Sequence, residues 1–276
     1  LWAPILFFLG RALQNFFAAG ETVGGALFLL ENSSKKRHDL FSSLYSVSTI
    51  GGHLLASWGV FLISYYNVTV LGWRFLYLCG CISALFGCLL RRSSPVVQSP
   101  MKFSEKITNV KNTVWMYRRP LVCIMIISGF ATATYSIAIV LMNGFIPLVS
   151  TLSKTESMKI NTYMLILDFL ALPFFGWVAS KVSREKLMLS AACGVIILAM
   201  PLIACLEGAS LLSVILVRMV FVLFGVAFFA PFYAWAEELI PSTCRYTVIA
   251  LGYVLSAAWA LILWSIFAIR LPVQRT

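Results

Sequence analysis

The sequence predicts an all-α fold, a polytopic membrane protein with eight transmembrane helices. Three observations carry that prediction. Of 276 residues, 61% are hydrophobic and 11% charged, where a soluble domain carries about a quarter. Eight apolar stretches are long enough to span, since about 20 residues at a 1.5 Å rise cross a core of roughly 30 Å. Lysine and arginine collect in alternate connections between those stretches, as the positive-inside rule requires. The net charge of +11 therefore reads as loop charge rather than a nucleic-acid surface.

The spans fall near residues 1–30, 41–64, 73–90, 121–149, 160–179, 187–206, 210–236 and 247–269. Leu1 opens an apolar run already under way, with no signal-like start, so the chain reads as a piece of a longer protein. The second span holds Gly51-Gly52-His53, a histidine that either senses pH or is satisfied inside the protein. The third opens at Trp73-Arg74, an anchor pair suited to the membrane interface. A long polar and basic connection, Arg91 to Arg119, then separates three spans from five. It divides the chain into 1–90, part of an N-terminal helical half, a linker over 91–119, and a C-terminal half over 120–276. The linker either lies on anionic lipid or is solvated.

Counting Lys and Arg orients the chain. The first, third, fifth and seventh connections hold three, seven, three and one, and the opposite side holds five in all. The odd connections, the 91–119 linker among them, are therefore predicted to be cytoplasmic. The remaining two, Arg11 and Arg218, lie inside spans.

Charges within spans are the candidates for function. On a helix, Arg11, Gln14, Asn15, Ala18, Glu21, Thr22 and Gly25 recur at three- and four-residue steps as one polar and small stripe. A charge at mid-bilayer costs about 2.5–3.5 kcal/mol, so the stripe should face protein or a water-filled cavity. Glu21 lies ten residues before Glu31 at the span's end, roughly 15 Å deep. The alternative is an Arg–Glu pair that only fixes packing. Asp168 is the other acid within a span, at a similar depth, with apolar Met164, Leu165, Ala171 and Leu172 at helical spacing. It either carries a proton or packs against a polar partner. Arg218 is followed at helical steps by Phe221, Gly225, Phe228, Phe229 and Phe232. That face is either a cage, with the guanidinium for a carboxylate and the rings for an ammonium, or plain packing with Arg218 as an anchor. Arg218 also precedes Glu238 by the twenty residues that separate Arg11 from Glu31, a weak internal symmetry of the kind two-halved transporters show.

The residues also resemble a known family. The run RALQNFFAAGETVGGALFLLENS from Arg11, followed by LGWRFLYLCG at 71–80, looks like the fourth to sixth helices of the metabolite:proton symporter branch of the major facilitator superfamily. GWVASKVSREK at 176–186 is similar to the superfamily's loop motif, with Gly176, Lys181, Arg184 and Lys186 in place. EELIPSTCR at 237–245 matches a Glu-x-x-Pro-x-x-x-Arg signature through Glu238, Pro241 and Arg245. The eight spans then resemble helices 4–11 of a twelve-helix fold. Departures include Asn15, Ala19, Ser34, His38, Asp39, Ser180 and Ser183. Ser180 replaces the acid that in the superfamily pairs with basic groups to latch the cytoplasmic side.

The resemblance implies a secondary transporter in the bilayer of a bacterial inner membrane. Its partners would be protons and a small-molecule substrate such as proline, betaine or 2-oxoglutarate, moved by two halves rocking about a mid-membrane site. Glu21 or Asp168 would carry the coupling proton, because removing a carboxylate from water favours its protonated form. Arg11, Glu21, Asp168, Arg218, Phe228 and Phe232 are thus candidates for substrate or proton. Glu31, Gly176, Lys181, Arg184, Glu238, Pro241 and Arg245 are candidates for cytoplasmic gating. A truncated remnant of such a permease, or a transporter-like sensor, is the alternative. An enzyme is not expected, and neither is a cofactor or metal. There are two histidines, no HExxH and no CxxC among seven cysteines, which read as small core hydrophobes.

Overall fold

In the computed structural model of the chain, residues 2–66, 69–93, 103–150, 152–206 and 208–256 are described. Among them the chain is helical with no strand. The helices are α1 (Trp2–Glu31), α2 (His38–Tyr65), α3 (Thr69–Ser93), α4 (Phe103–Met116), α5 (Arg118–Tyr135), α6 (Met142–Val149), α7 (Lys154–Lys181), α8 (Arg184–Ala204), α9 (Leu211–Phe229) and α10 (Phe232–Glu238). A last helix, α11, runs over 245–256.

Six helical stretches are long and apolar enough to cross a membrane: Lys35–Ile63, Gly72–Leu89, Arg118–Val149, Glu156–Lys181, Arg184–Ala204 and Leu211–Glu238. They coincide with six of the eight expected spans. The first expected span is one continuous helix, α1. The eighth is helical to residue 256, and the rest of 247–269 lies outside the described residues. Large apolar side chains cover the outside, among them Phe86 and Leu89 on α3 and Ile196, Ile197 and Met200 on α8. A surface like that suits lipid, not water. The cysteines correct one expectation: all seven are free and six are exposed. In a bilayer the outer surface is itself apolar, so the preference that buries cysteine in a soluble protein also permits it there.

Local signals set the ends. Ser153 caps α7 by accepting from the Glu156 N–H while the Glu156 carboxylate accepts from the Ser153 N–H at 2.8 Å, a reciprocal capping box. Between α8 and α9 the chain turns at Gly208 with φ 64°, a left-handed conformation that glycine adopts without strain. Its N–H donates to the Val149 carbonyl. Two features depart from the sequence reading. The polar linker contains a helix, α4. The fourth span is wound as a π-helix over Ser136–Leu141 between α5 and α6, a local widening that often marks functional sites.

The interior divides in two. One cluster packs α6, α7 and α9 through Met142, Ile146, Leu165, Leu172, Phe221 and Val222. The other joins Val23, Ala26 and Leu30 of α1 to Phe232, Tyr233 and Ile249 of α10 and α11. The long α2–α7 contact connects them. At one end Gly176 lets α7 come so close to α2 that a Cβ there would overlap the Ser43 side chain. Further along, Ser57 and Thr162 share a hydrogen bond of 3.1 Å.

Candidate functional site: a cavity and the charged cluster beneath it

Between these contacts lies a cavity of about 180 Å³. Its wall combines residues before the linker, from α1 (Thr22) and α2 (Ser46, Thr49, Ile50, His53), with residues after it from α5, α7, α9, α10 and α11. Among the described lining residues Asp168 is the one carboxyl, and no lysine or arginine is present. Asp168 is buried on α7, the helix that also buries Met164, Leu165, Ala171 and Leu172. Phe221 and Phe229 contribute aromatic faces, and Tyr135, Tyr233 and Tyr253 contribute rings and hydroxyls.

A cluster of ionic side chains sits where α1 ends, α2 and α8 begin, and α10 gives way to α11. Arg184 grips Asp39 with two nitrogens, Nε to Oδ1 at 3.1 Å and Nη2 to Oδ2 at 3.2 Å. Its Nη1 reaches Glu238 at 3.0 Å and donates to the Ala234 carbonyl. Arg245 meets Glu237 at 3.0 Å and Glu31 at 3.2 Å, while its Nε donates to the Ile240 carbonyl. His38 Nδ1 lies 3.0 Å from Glu237 Oε2. Acid and base of the two related stretches thus exchange partners: Glu31 goes to Arg245, and His38 goes to Glu237. Asp39 supplies a carboxylate close to the place where Ser180 leaves none. It could not be foreseen as the partner of Arg184, because 145 residues separate them.

The remaining candidates are dispersed. Of the α1 stripe, Thr22 reaches the cavity, Gly25 lies under the Tyr45 ring, and Gln14, Ala18 and Glu21 are exposed. The Tyr246 hydroxyl donates to the Gly20 carbonyl on the same helix. The Arg11 and Asn15 side chains lie outside those described. Arg218 is fully buried, and its guanidinium stays within the helices after the linker. Nη1 donates to Asn143 Oδ1 at 3.0 Å and to the Ser157 carbonyl, and Nη2 donates to Asn161 Oδ1 and to the Ala138 carbonyl at 3.1 Å. Phe228 packs edge-on against Phe130, and Phe232 stacks on Phe229. Neither lines the cavity, since the helix breaks at Ala230-Pro231 and the α9 phase does not continue into α10. Lys181 and Pro241 are exposed.

Helices with an apolar outer surface around a polar internal cavity define an integral membrane protein with a site for a small molecule. The particular family is then evident: residues 1–266 match the model of the Major Facilitator Superfamily, and the chain belongs to it. It is 28% identical over 227 residues to a "Putative proline/betaine transporter" of Staphylococcus haemolyticus, covering 78% of this chain and 48% of that protein. It is 22% identical over 213 residues to the "Alpha-ketoglutarate permease" of Escherichia coli, covering 76% and 49%. It is also 24% identical over 269 residues to the "Citrate-proton symporter" of Klebsiella pneumoniae, covering 94% and 60%. The chain thus spans about half to three fifths of the length of these relatives.

Proposed function

We propose that the chain carries the site of a proton-coupled symporter for a small zwitterion such as proline or betaine, with Asp168 as the proton carrier. One observation supports this above the others: the cavity wall offers a single carboxyl and, among its described residues, no fixed cation. A di- or tricarboxylate would bring several negative charges to a place without a partner for them. A zwitterion brings one carboxylate and one cation, and the cation can rest on the faces of Phe221 and Phe229. Its carboxylate and an ionised Asp168 repel in so small a space, whereas a shared proton joins them. Substrate and proton therefore bind together, and each raises the affinity for the other.

In this reading residues 1–90 and 120–276 belong to two rocking halves, joined by the 91–119 linker. The charged cluster is the closed gate of one face, and the excess of Lys and Arg in the odd connections makes that face, with the linker, cytoplasmic in a bacterial plasma membrane. The test is uptake of labelled betaine, proline and 2-oxoglutarate across a pH gradient, in cells expressing this chain. Betaine or proline should accumulate, and Asp168→Asn should reduce gradient-driven uptake to background while exchange persists. Accumulation by Asp168→Asn at the unmodified rate, or a preference for 2-oxoglutarate, would overturn the proposal.

A further inference from the structure

His53 and Tyr135 face each other in the cavity, and the proton site described above accounts for neither. His53 belongs to α2, before the linker, and its Nδ1 lies 3.0 Å from the Thr49 carbonyl. That contact fixes the tautomer with the proton on Nδ1 and leaves Nε2 as the exchangeable nitrogen. Its ring centroid is 6.3 Å from that of Tyr135. The Tyr135 hydroxyl is buried without a hydrogen-bond partner, an arrangement folded proteins seldom keep unless the group has work to do. On the other side Tyr135 lies within electrostatic reach of Asp168. The other titratable groups on the cavity wall are Tyr233 of α10 and Tyr253 of α11, while α1 and α9 contribute none among the described lining residues.

Resting on the proton-coupled reading above, we propose that His53, Tyr135 and Asp168 form a proton relay across the contact between α2 and α7, complete only while those helices are packed together. The transfer balances. Protonated imidazole gives its Nε2 proton to the Tyr135 oxygen as the tyrosine gives its own hydroxyl proton to the Asp168 carboxylate. His53 ends neutral, Asp168 ends as the acid, and Tyr135 is unchanged. Because His53 stands on one helix group and the other two residues on the other, a rocking motion breaks the path. A proton that has reached Asp168 is then committed to travel with the substrate, which is what prevents leakage.

The test uses Tyr135→Phe and His53→Gln in the full chain, reconstituted in lipid vesicles. Gradient-driven betaine uptake should fall about a hundredfold, the range a positioned proton-transfer group contributes, while betaine exchange at equal pH keeps the unmodified rate. Infrared difference spectra between acid and alkaline pH supply a readout independent of transport. The carboxylic-acid band lost in Asp168→Asn should shift in Tyr135→Phe, because its hydrogen-bond partner is gone. An unmoved band together with unmodified gradient-driven uptake in Tyr135→Phe overturns the relay and leaves the proton-carrier reading intact. An unmodified chain whose uptake ignores the gradient, and whose Asp168 band is absent, overturns both.

Discussion

Arg184 and Arg218 are both removed from water, yet the chain surrounds them in opposite ways. Arg184 is part-buried and held by two carboxylates, one of them on a helix before the linker. Arg218 is fully buried and held by neutral oxygens alone, two from asparagines and two from carbonyls, all after the linker. A charge pair near water can separate at modest cost, because each partner is resolvated as it opens. A guanidinium caged by neutral groups in the interior has nowhere to go. The first arrangement suits a joint between parts that move, the second a weld within a part that does not.

The largest effect should follow from opening the weld. Arg218→Leu leaves four acceptors without a donor and should lower stability by about 3–5 kcal/mol, read as a large drop in the thermal unfolding midpoint in detergent. Arg184→Gln should leave that midpoint nearly unchanged and act on the closed face instead. Losing its charged hydrogen bonds costs about 2 kcal/mol, a population change of roughly thirtyfold. A cysteine placed at Ser46, which is buried on the cavity wall, should then be alkylated correspondingly faster. Asp39→Asn added to Arg184→Gln should add little, since the two residues share one interaction. The comparison fails if Arg184→Gln melts the protein as Arg218→Leu does. The smallest effect is expected at Ser57→Ala, which removes one hydroxyl pair on the far side of the cavity, about 0.5–1 kcal/mol, with a slight change in exchange rate.

Much of the fold was legible because membrane helices announce themselves by length and apolarity, and α7 by its Ser153–Glu156 capping box. Helix α4 was not legible. Its charges and polar residues read as loop, and no apolar stripe of spanning length betrays a helix. The π-helical stretch was equally hidden, for Ser136–Leu141 reads as ordinary apolar helix. Within the site, Asp168 stood out as an acid interrupting an apolar span. The residues that face it did not, because a tyrosine or threonine at helical spacing looks like packing until tertiary structure places it. The cages of Arg184 and Arg218 are assembled from partners 50 to 145 residues away in sequence, and no local pattern encodes such distances.

The π-helical stretch has a consequence for how this site tolerates change. It lies directly after Tyr135, and Arg218 holds the Ala138 carbonyl within it. Each residue of an α-helix turns the chain by about 100°. Deleting one residue from 136–141 would return that stretch to regular winding and rotate all that precedes it against all that follows. Thr134 and Tyr135 would swing off the cavity wall with no side chain altered. The geometry here is written in the number of residues as well as in their identity, so a single-codon deletion would blind the site where many substitutions would only retune it.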